Sequence, residues 1–344
     1  MHDLGASFNL QAAIAPIVRT DGTPYDVAAM DLRQLAALVA VDDHGSFSAA
    51  ARALYTVQSN VSAHIANLER ELGVTLVDRT KSRLTPEGVV VVARARRIQR
   101  ELDALTADAA SMGQEVAGEA RLGVIGTTAR WLVPQLLRAV HAAHPKVQFV
   151  ILEASTTSLI PLVVAGGLDL AVVNLPVEDP EIDTSVLFTE ELVLLATASS
   201  PLYGRTEVNF SELSGHPLVL PPPGTALRRE LDAEARRAGV TLSPQAEIDG
   251  VRLMASLAFE GYGSTVVPTT AVPGWLKGDF SRIPISDLAL RQVGLARRRR
   301  AMLSASARAV ADVLQDVIAA KGPKQRGVRV RTDPVIDDRS GPSL

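Results

Sequence analysis

The chain has no cysteine among its 344 residues, which removes disulfides, thiolate nucleophiles and cysteine-based metal or redox sensing together. No apolar run reaches the length of a membrane span, because Asp169 and other charges interrupt the richest stretches. A secretory start is missing too: Asp3, Asp21 and Asp26 break up the first residues, and no basic stretch precedes an apolar core. These absences predict a soluble, cytoplasmic protein with no membrane partner. Nor is there an excess of one charge. A formal net charge of −3 carries no global nucleic-acid signature, which leaves such a role to local groups, Arg79, Lys81 and Arg83, then Arg94, Arg96, Arg97 and Arg100. Charge runs of this kind are also ordinary solvated faces. Enzyme signatures are lacking as well: no nucleophile elbow, phosphate-binding lysine loop or zinc-protease motif occurs. His141 and His144 stand three apart with no third ligand at usable spacing, and Gly261-Tyr262-Gly263 is too short for a dinucleotide fingerprint. The sequence implies no catalytic residue, no metal and no cofactor.

What is present is concentrated between Gly45 and Gly73, in GSFSAAARALYTVQSNVSAHIANLERELG. Ser46 or Ser48 can cap a short helix over residues 49–54, and residues 55–57 are too few to be anything but a turn. From Gln58 onward Val61, Ile65, Leu68 and Leu72 recur at helical spacing, with Gly73 placed for a left-handed C-cap. The opposite face offers Ser59, Asn60, Ser62, Ala63 and His64. One face to bury and one to offer is what a helix-turn-helix requires, the first helix propping a second whose N-terminal residues reach base edges. Before it, Leu32, Leu35, Leu38 and Val39 form the buried stripe of a first helix. After it, residues 74–84 alternate around a basic turn and read as a two-stranded wing.

Thr85-Pro86-Glu87 is a helix start. Val91, Ala95, Ile98, Leu102, Leu105, Ala109 and Met112 then follow at spacings of four and three, the seam of a coiled coil and hence of a dimer. A helix packed on its own domain is the competing reading. From Gly118 short strands alternate with helices, as in a parallel α/β sheet: strands at 122–125, 147–152, 168–173, 191–196, 217–220, 264–267 and 292–296, and helices from about 130 to 143 with Pro134 in the first turn, then at 157–165, 226–238, 251–259 and 304–320. Gly126-Thr127-Thr128 reads as a strand-to-helix loop, where free N–H groups and hydroxyls would suit an anion or would simply cap the helix. Arg297 to Arg300 reads as a solvated or partner-facing loop.

The order LRQLAALVAV, GSFSAAARAL, VQSNVSAHIANLERELGVTLVDR and RLTPEG resembles the DNA-binding region of the LysR-type transcriptional regulators, and GEARLGVIGTTARWLVPQLL, GGLDLAVV and GYGSTVVP extend the resemblance. Val57, Ser59 and Ala63 depart from the family's pattern, so the resemblance carries the fold and not a base preference. It implies an N-terminal all-α winged helix-turn-helix with a long linker helix, and a C-terminal α/β effector domain of two lobes, in the manner of periplasmic binding proteins. The expected limits are a disordered leader at 1–29, the DNA-binding domain at 30–85 and the linker helix at 86–113. The effector domain would span 118–320, with lobe I at about 118–190 and 291–320 and lobe II at about 191–290, before a disordered tail at 321–344. The resemblance implies double-stranded operator DNA as partner. Gln58 would contact base edges with Ser59 and Ser62 helping, Asn60 and His64 would belong to the same DNA-binding face, and Arg79, Lys81 and Arg83 would meet phosphates or the minor groove, with Arg52 also on the backbone. It further implies a small, anionic effector contacted by Thr127, Thr128, Ser155, Pro222, Gly224 and Thr225, and self-association to a homodimer or a dimer of dimers. The alternative function is a ligand-binding protein acting through protein contacts, with the helix-turn-helix as a docking or dimerisation module.

Overall fold

A computed structural model describes residues 30–111, 115–299 and 302–330; the expected leader, Met112 of the expected seam, Arg300 and residues 331–344 of the expected tail lie outside them. The chain divides into two units, residues 1–100 and 101–344. In the first, α1 (Leu32–His44) is started by a capping box between Asp31 and Gln34 and stopped by Gly45 at φ +69°. α2 (Phe47–Ala53) is capped by Ser46, and α3 (Gln58–Leu72) ends at Gly73 with φ +70°. Val57 stands at the N-cap of α3, where a side-chain acceptor is usual, and makes no capping bond. Val61, Ile65 and Leu68 are fully buried, and burial of each contributes roughly 1.5–3 kcal/mol. Leu32 and Leu72 belong to the stripes by spacing, but both sit at helix ends and are exposed.

The wing is two strands of two residues, β1 (Val77–Asp78) and β2 (Arg83–Leu84). The Glu69 carboxylate of α3 fixes it by accepting the Leu76 and Val77 N–H groups at 2.8 and 3.2 Å. α4 (Pro86–Ser111) begins at Thr85, whose hydroxyl accepts the Gly88 N–H. The expected seam divides along this helix. Ala95 is fully buried and Val91, partly buried, packs against the same core, whereas Ile98, Leu102, Leu105 and Ala109 are exposed. Arg96 bridges Asp42 and Asp43 at 2.6 and 2.5 Å, which ties α4 to the end of α1 and takes Arg96 out of the free basic groups.

In the second unit, lobe I holds β3 (Ala117–Val124), α5 (Gly126–Ala143), β4 (Lys146–Glu153), α6 (Thr156–Val164), β5 (Leu170–Asn174) and β6 (Ile182–Glu190). The chain then enters lobe II: β7 (Leu192–Thr197), β8 (Pro217–Leu220), α7 (Ala226–Ala238), β9 (Ser243–Glu247), α8 (Val251–Phe259), β10 (Ser264–Pro268) and β11 (Phe280–Pro284). It returns through β12 (Arg291–Arg298) to α9 (Ala305–Lys321) and β13 (Val328–Val330). The sheets run β13-β6-β12-β5-β3-β4 in lobe I and β11-β7-β10-β8-β9 in lobe II. β13 corrects the start of the expected disordered tail: after a 3-10 turn at Gly322–Lys324 the chain pairs with β6, Val328 opposite Glu190. Arg297 and Arg298 likewise lie in β12 and not in a loop, with Arg298 paired to Glu101 at 3.1 Å and Arg299 to Asp183 at 2.8 Å. The end of α4 is fastened to lobe I, since Asp108 accepts the Ala305 N–H at the start of α9 at 2.7 Å. No helix among the described residues is long and apolar enough to cross a membrane.

Candidate functional site

On α3, Gln58, Ser59 and Asn60 occupy the exposed first turn, while Ser62 and His64 are half-buried. The Ser48 hydroxyl donates to Gln58 Oε1 at 2.7 Å, which orients an amide otherwise free to rotate, and Asn60 donates to the Thr56 hydroxyl. Arg79 is engaged within its own unit: it pairs with Glu69 at 3.3 Å, donates to Ser62 at 3.0 Å and lies 5.8 Å over the Phe47 ring. It joins wing to helix while its side chain stays about half exposed. Lys81 is exposed, 3.7 Å from Asp78, whose carboxyl is held below the usual range first by the Thr80 hydroxyl. Arg52 and Arg83 are exposed, with no carboxylate in ion-pair range among the described residues.

The parallel strands β3, β4 and β5 all end at one edge of the lobe I sheet, and β8, β9 and β10 at one edge of the lobe II sheet. Helix N-termini therefore gather at these edges, where open α/β sheets bind ligands. α5 begins earlier than expected. Ile125 is its N-cap, so Thr127 and Thr128 lie in the first helical turn and not in a loop, and Pro134 falls in the helix interior. Both threonines are buried, and Thr128 Oγ1 has no hydrogen-bond partner among the described residues. Ser155 caps α6 and Thr225 caps α7, while Pro222 supplies a carbonyl to the Thr225 hydroxyl and Gly224 turns at φ +87°. α8 starts at Gly250 with no side-chain cap.

Sequence spacing does not point to the groups that join the lobes. Arg252 of α8 pairs with Glu153 at the end of β4, and Arg130 of α5 donates to the Thr270 carbonyl. A Cβ on Gly126 would come within 2.9 Å of Glu153 Oε1 and 3.2 Å of Arg252 Nε, so the start of α5 sits against this pair. Burial, and secondarily the charge of Arg252, push the Arg130 guanidinium down. A cavity of about 610 Å³ beside the hinge is lined by apolar groups including Leu175, Val186 and Leu290, with Glu230 and Arg291; none of the expected effector residues lines it.

At the hinge, Glu190 is fully buried, receives the Thr270 hydroxyl and stands opposite Arg291 in the β6–β12 register. Burial raises its carboxyl, against the attraction of Arg291 and the bond from Thr270. Between the ordinary carboxylate range and this raised value the folded chain holds a proton that the unfolded chain releases, so stability falls as pH rises through that window. Glu190→Gln keeps an acceptor for Thr270 and should remove this slope. Urea midpoints of the two chains measured across mildly acid to neutral pH would run parallel if Glu190 contributed nothing.

Two family models match the chain. One, described as "Bacterial regulatory helix-turn-helix protein, lysR family", covers residues 32–89, and the other, "LysR substrate binding domain", covers residues 113–319. The chain is 34% identical over 297 residues to the probable hydrogen peroxide-inducible genes activator of Mycobacterium leprae, covering 83% of this chain and 93% of that one. Among solved structures, a full-length OxyR point mutant from Pseudomonas aeruginosa aligns with a TM-score of 0.65 at 26% identity over 84% of this chain and 94% of that one. An H2O2-bound point mutant of Corynebacterium glutamicum OxyR aligns with a TM-score of 0.55 at 25% identity over 85% and 93%.

Proposed function

Because the chain belongs to the LysR family of bacterial helix-turn-helix regulators and is a DNA-binding transcriptional regulator with an effector-binding domain, we propose how its own residues carry those two tasks. It acts in the cytoplasm as a homodimer, able to pair into a dimer of dimers, and not as an enzyme. Two copies of α3 read two half-sites related by a two-fold axis. Gln58, oriented by Ser48, addresses base edges with Ser59, Asn60 and Ser62, while Lys81, Arg83 and Arg52 meet phosphates.

Gln58→Ala should abolish most discrimination between operator and random duplex, about 1–3 kcal/mol for a lost bidentate contact. Lys81→Ala should weaken both duplexes alike and shallow the dependence on salt by about one charge. Gel shifts with the DNA upstream of the protein's own coding region, run at several salt concentrations, would refute the assignment if neither change altered binding.

In the second unit the effector is a small anion held between the lobes. The observations that support this reading are that the helix starts at Ile125, Ser155, Thr225 and Gly250 lie at the strand-end edges of the two sheets, and that Arg252 and Arg130 reach from one lobe to the other, Arg252 to Glu153 and Arg130 to the Thr270 carbonyl. The relatives named for hydrogen peroxide do not transfer their signal directly, since this chain has no sulfhydryl for peroxide to oxidise. A thermal-shift screen of small mono- and dicarboxylates should find a stabilising compound; at a hundred times its Kd such a ligand adds about 2.7 kcal/mol. Arg252→Ala should erase that gain. Stabilisation confined to neutral or cationic compounds would overturn the anion reading.

A further inference from the structure

A cavity of about 420 Å³ lies between β11, the loop that precedes it and the segment that follows α9. Its charged lining is of one sign: Lys277 and Arg282 come from lobe II, Lys324 and Arg326 from the segment after α9, and no Asp or Glu among the described residues lines it. The hinge carboxylates are engaged elsewhere, Glu190 by Thr270 and Glu191 by Arg329 at 3.9 Å. The frame is fixed before any ligand arrives. Arg282 Nη2 donates to the Val272 carbonyl at 3.0 Å, and the Thr269 hydroxyl donates to the Arg326 carbonyl at 3.0 Å. Burial lowers the Arg282 guanidinium, and the nearby charges of Arg326 and Arg130 lower it further, so the cations repel one another.

We propose that this cavity binds a small, multiply charged phosphate at a site distinct from the helix-start cleft. Four converging cations exceed what a single negative charge can neutralise. The mixture of Arg forks and Lys point charges suits phosphate oxygens, and the volume falls in the range of metabolite sites and far below that of a nucleic-acid groove. Val272 and Phe280 give the cavity an apolar side, which a phosphate ester uses and a bare inorganic anion does not. Occupancy would tie the segment bearing Lys324 and Arg326 to lobe II, and β13 follows that segment directly.

The test is calorimetric titration of the full chain with inorganic pyrophosphate and with fructose 1,6-bisphosphate at constant ionic strength, using sulfate as the reference anion. Saturable uptake of pyrophosphate is expected, with the bisphosphate tighter if an ester is the ligand and equal or weaker if the inorganic ion is. The double variant Lys277→Ala/Lys324→Ala changes two exposed side chains and should weaken uptake about tenfold or more. Thr128→Val, in the other cleft, should leave it unchanged. Amide exchange at Val328–Val330 should slow on saturation. Uptake no better than sulfate, indifference to the double variant, loss with Thr128→Val, or unaltered exchange at saturation would each overturn the proposal; loss with Thr128→Val would move the phosphate to the helix-start cleft, and the other three outcomes do not bear on whether a carboxylate occupies that cleft.

Discussion

Replacing Gly88 with alanine is expected to destabilise the N-terminal unit by about 3 kcal/mol, the upper end for overpacking a filled site, and to abolish operator binding. A Cβ at this position would lie 2.0 Å from the Leu76 carbonyl oxygen and 3.0 Å from its carbon. Both are backbone atoms, so no side chain can swing aside. Leu76 is itself pinned: its N–H goes to Glu69, its carbonyl receives the Thr85 N–H at 2.9 Å, and its side chain is fully buried. Relief therefore requires α4 to move off the wing. Gly274→Ala is the control, because a Cβ there meets nothing within 4 Å and the backbone is not left-handed. Urea unfolding followed by circular dichroism, alongside a gel shift, reads both variants. An unchanged midpoint for Gly88→Ala would show that the approach of α4 to Leu76 is looser than described.

Leu102→Asp should separate the proposed dimer. Ile98, Leu102 and Leu105 continue the four-and-three spacing and are 40%, 39% and 66% exposed within one chain, an apolar line that the described residues cover only in part. A two-fold interface presents every substitution twice, so two carboxylates would face each other or apolar groups across the seam. The expected loss is on the order of 3 kcal/mol, about a hundredfold in the dimer dissociation constant, with operator affinity falling in step. Sedimentation equilibrium measures it directly, and an unaltered dimer would move the interface elsewhere. Val91→Asp makes an instructive contrast: Val91 packs on its own core, so that change should lower folding stability.

The recognition helix is legible in the sequence because its determinants are local. Val61, Ile65 and Leu68 repeat at helical spacing, and Gly73 supplies the left-handed stop. The start of α5 is harder to place, because Gly126-Thr127-Thr128 looks like a loop and Pro134 like a first-turn residue; the N-cap is Ile125, which offers no side-chain signal. β9, Ser243–Glu247, is hidden since it is an edge strand reading SPQAE, with no apolar alternation to betray it. Gly88 is silent for a related reason, its constraint arising from the Leu76 carbonyl across the wing. The pairs Arg252–Glu153 and Thr270–Glu190 span 99 and 80 residues. No period marks such a pair, and only the sheet topology brings its members together.

β13 alters what the hinge can do. Besides the two chain crossings, Glu191 donates its N–H to the Gly327 carbonyl, and Val328 to Val330 zip onto β6 at the point where it leaves lobe I. Thr269 of lobe II grips the same segment through the Arg326 carbonyl. A swing of one lobe would then have to flex or unpeel this third strap, whose hydrogen bonds would oppose it. Chains differing only in the length or sequence of this last stretch would set the stiffness of the swing, and with it the threshold of the response, while every ligand-contacting group stayed the same.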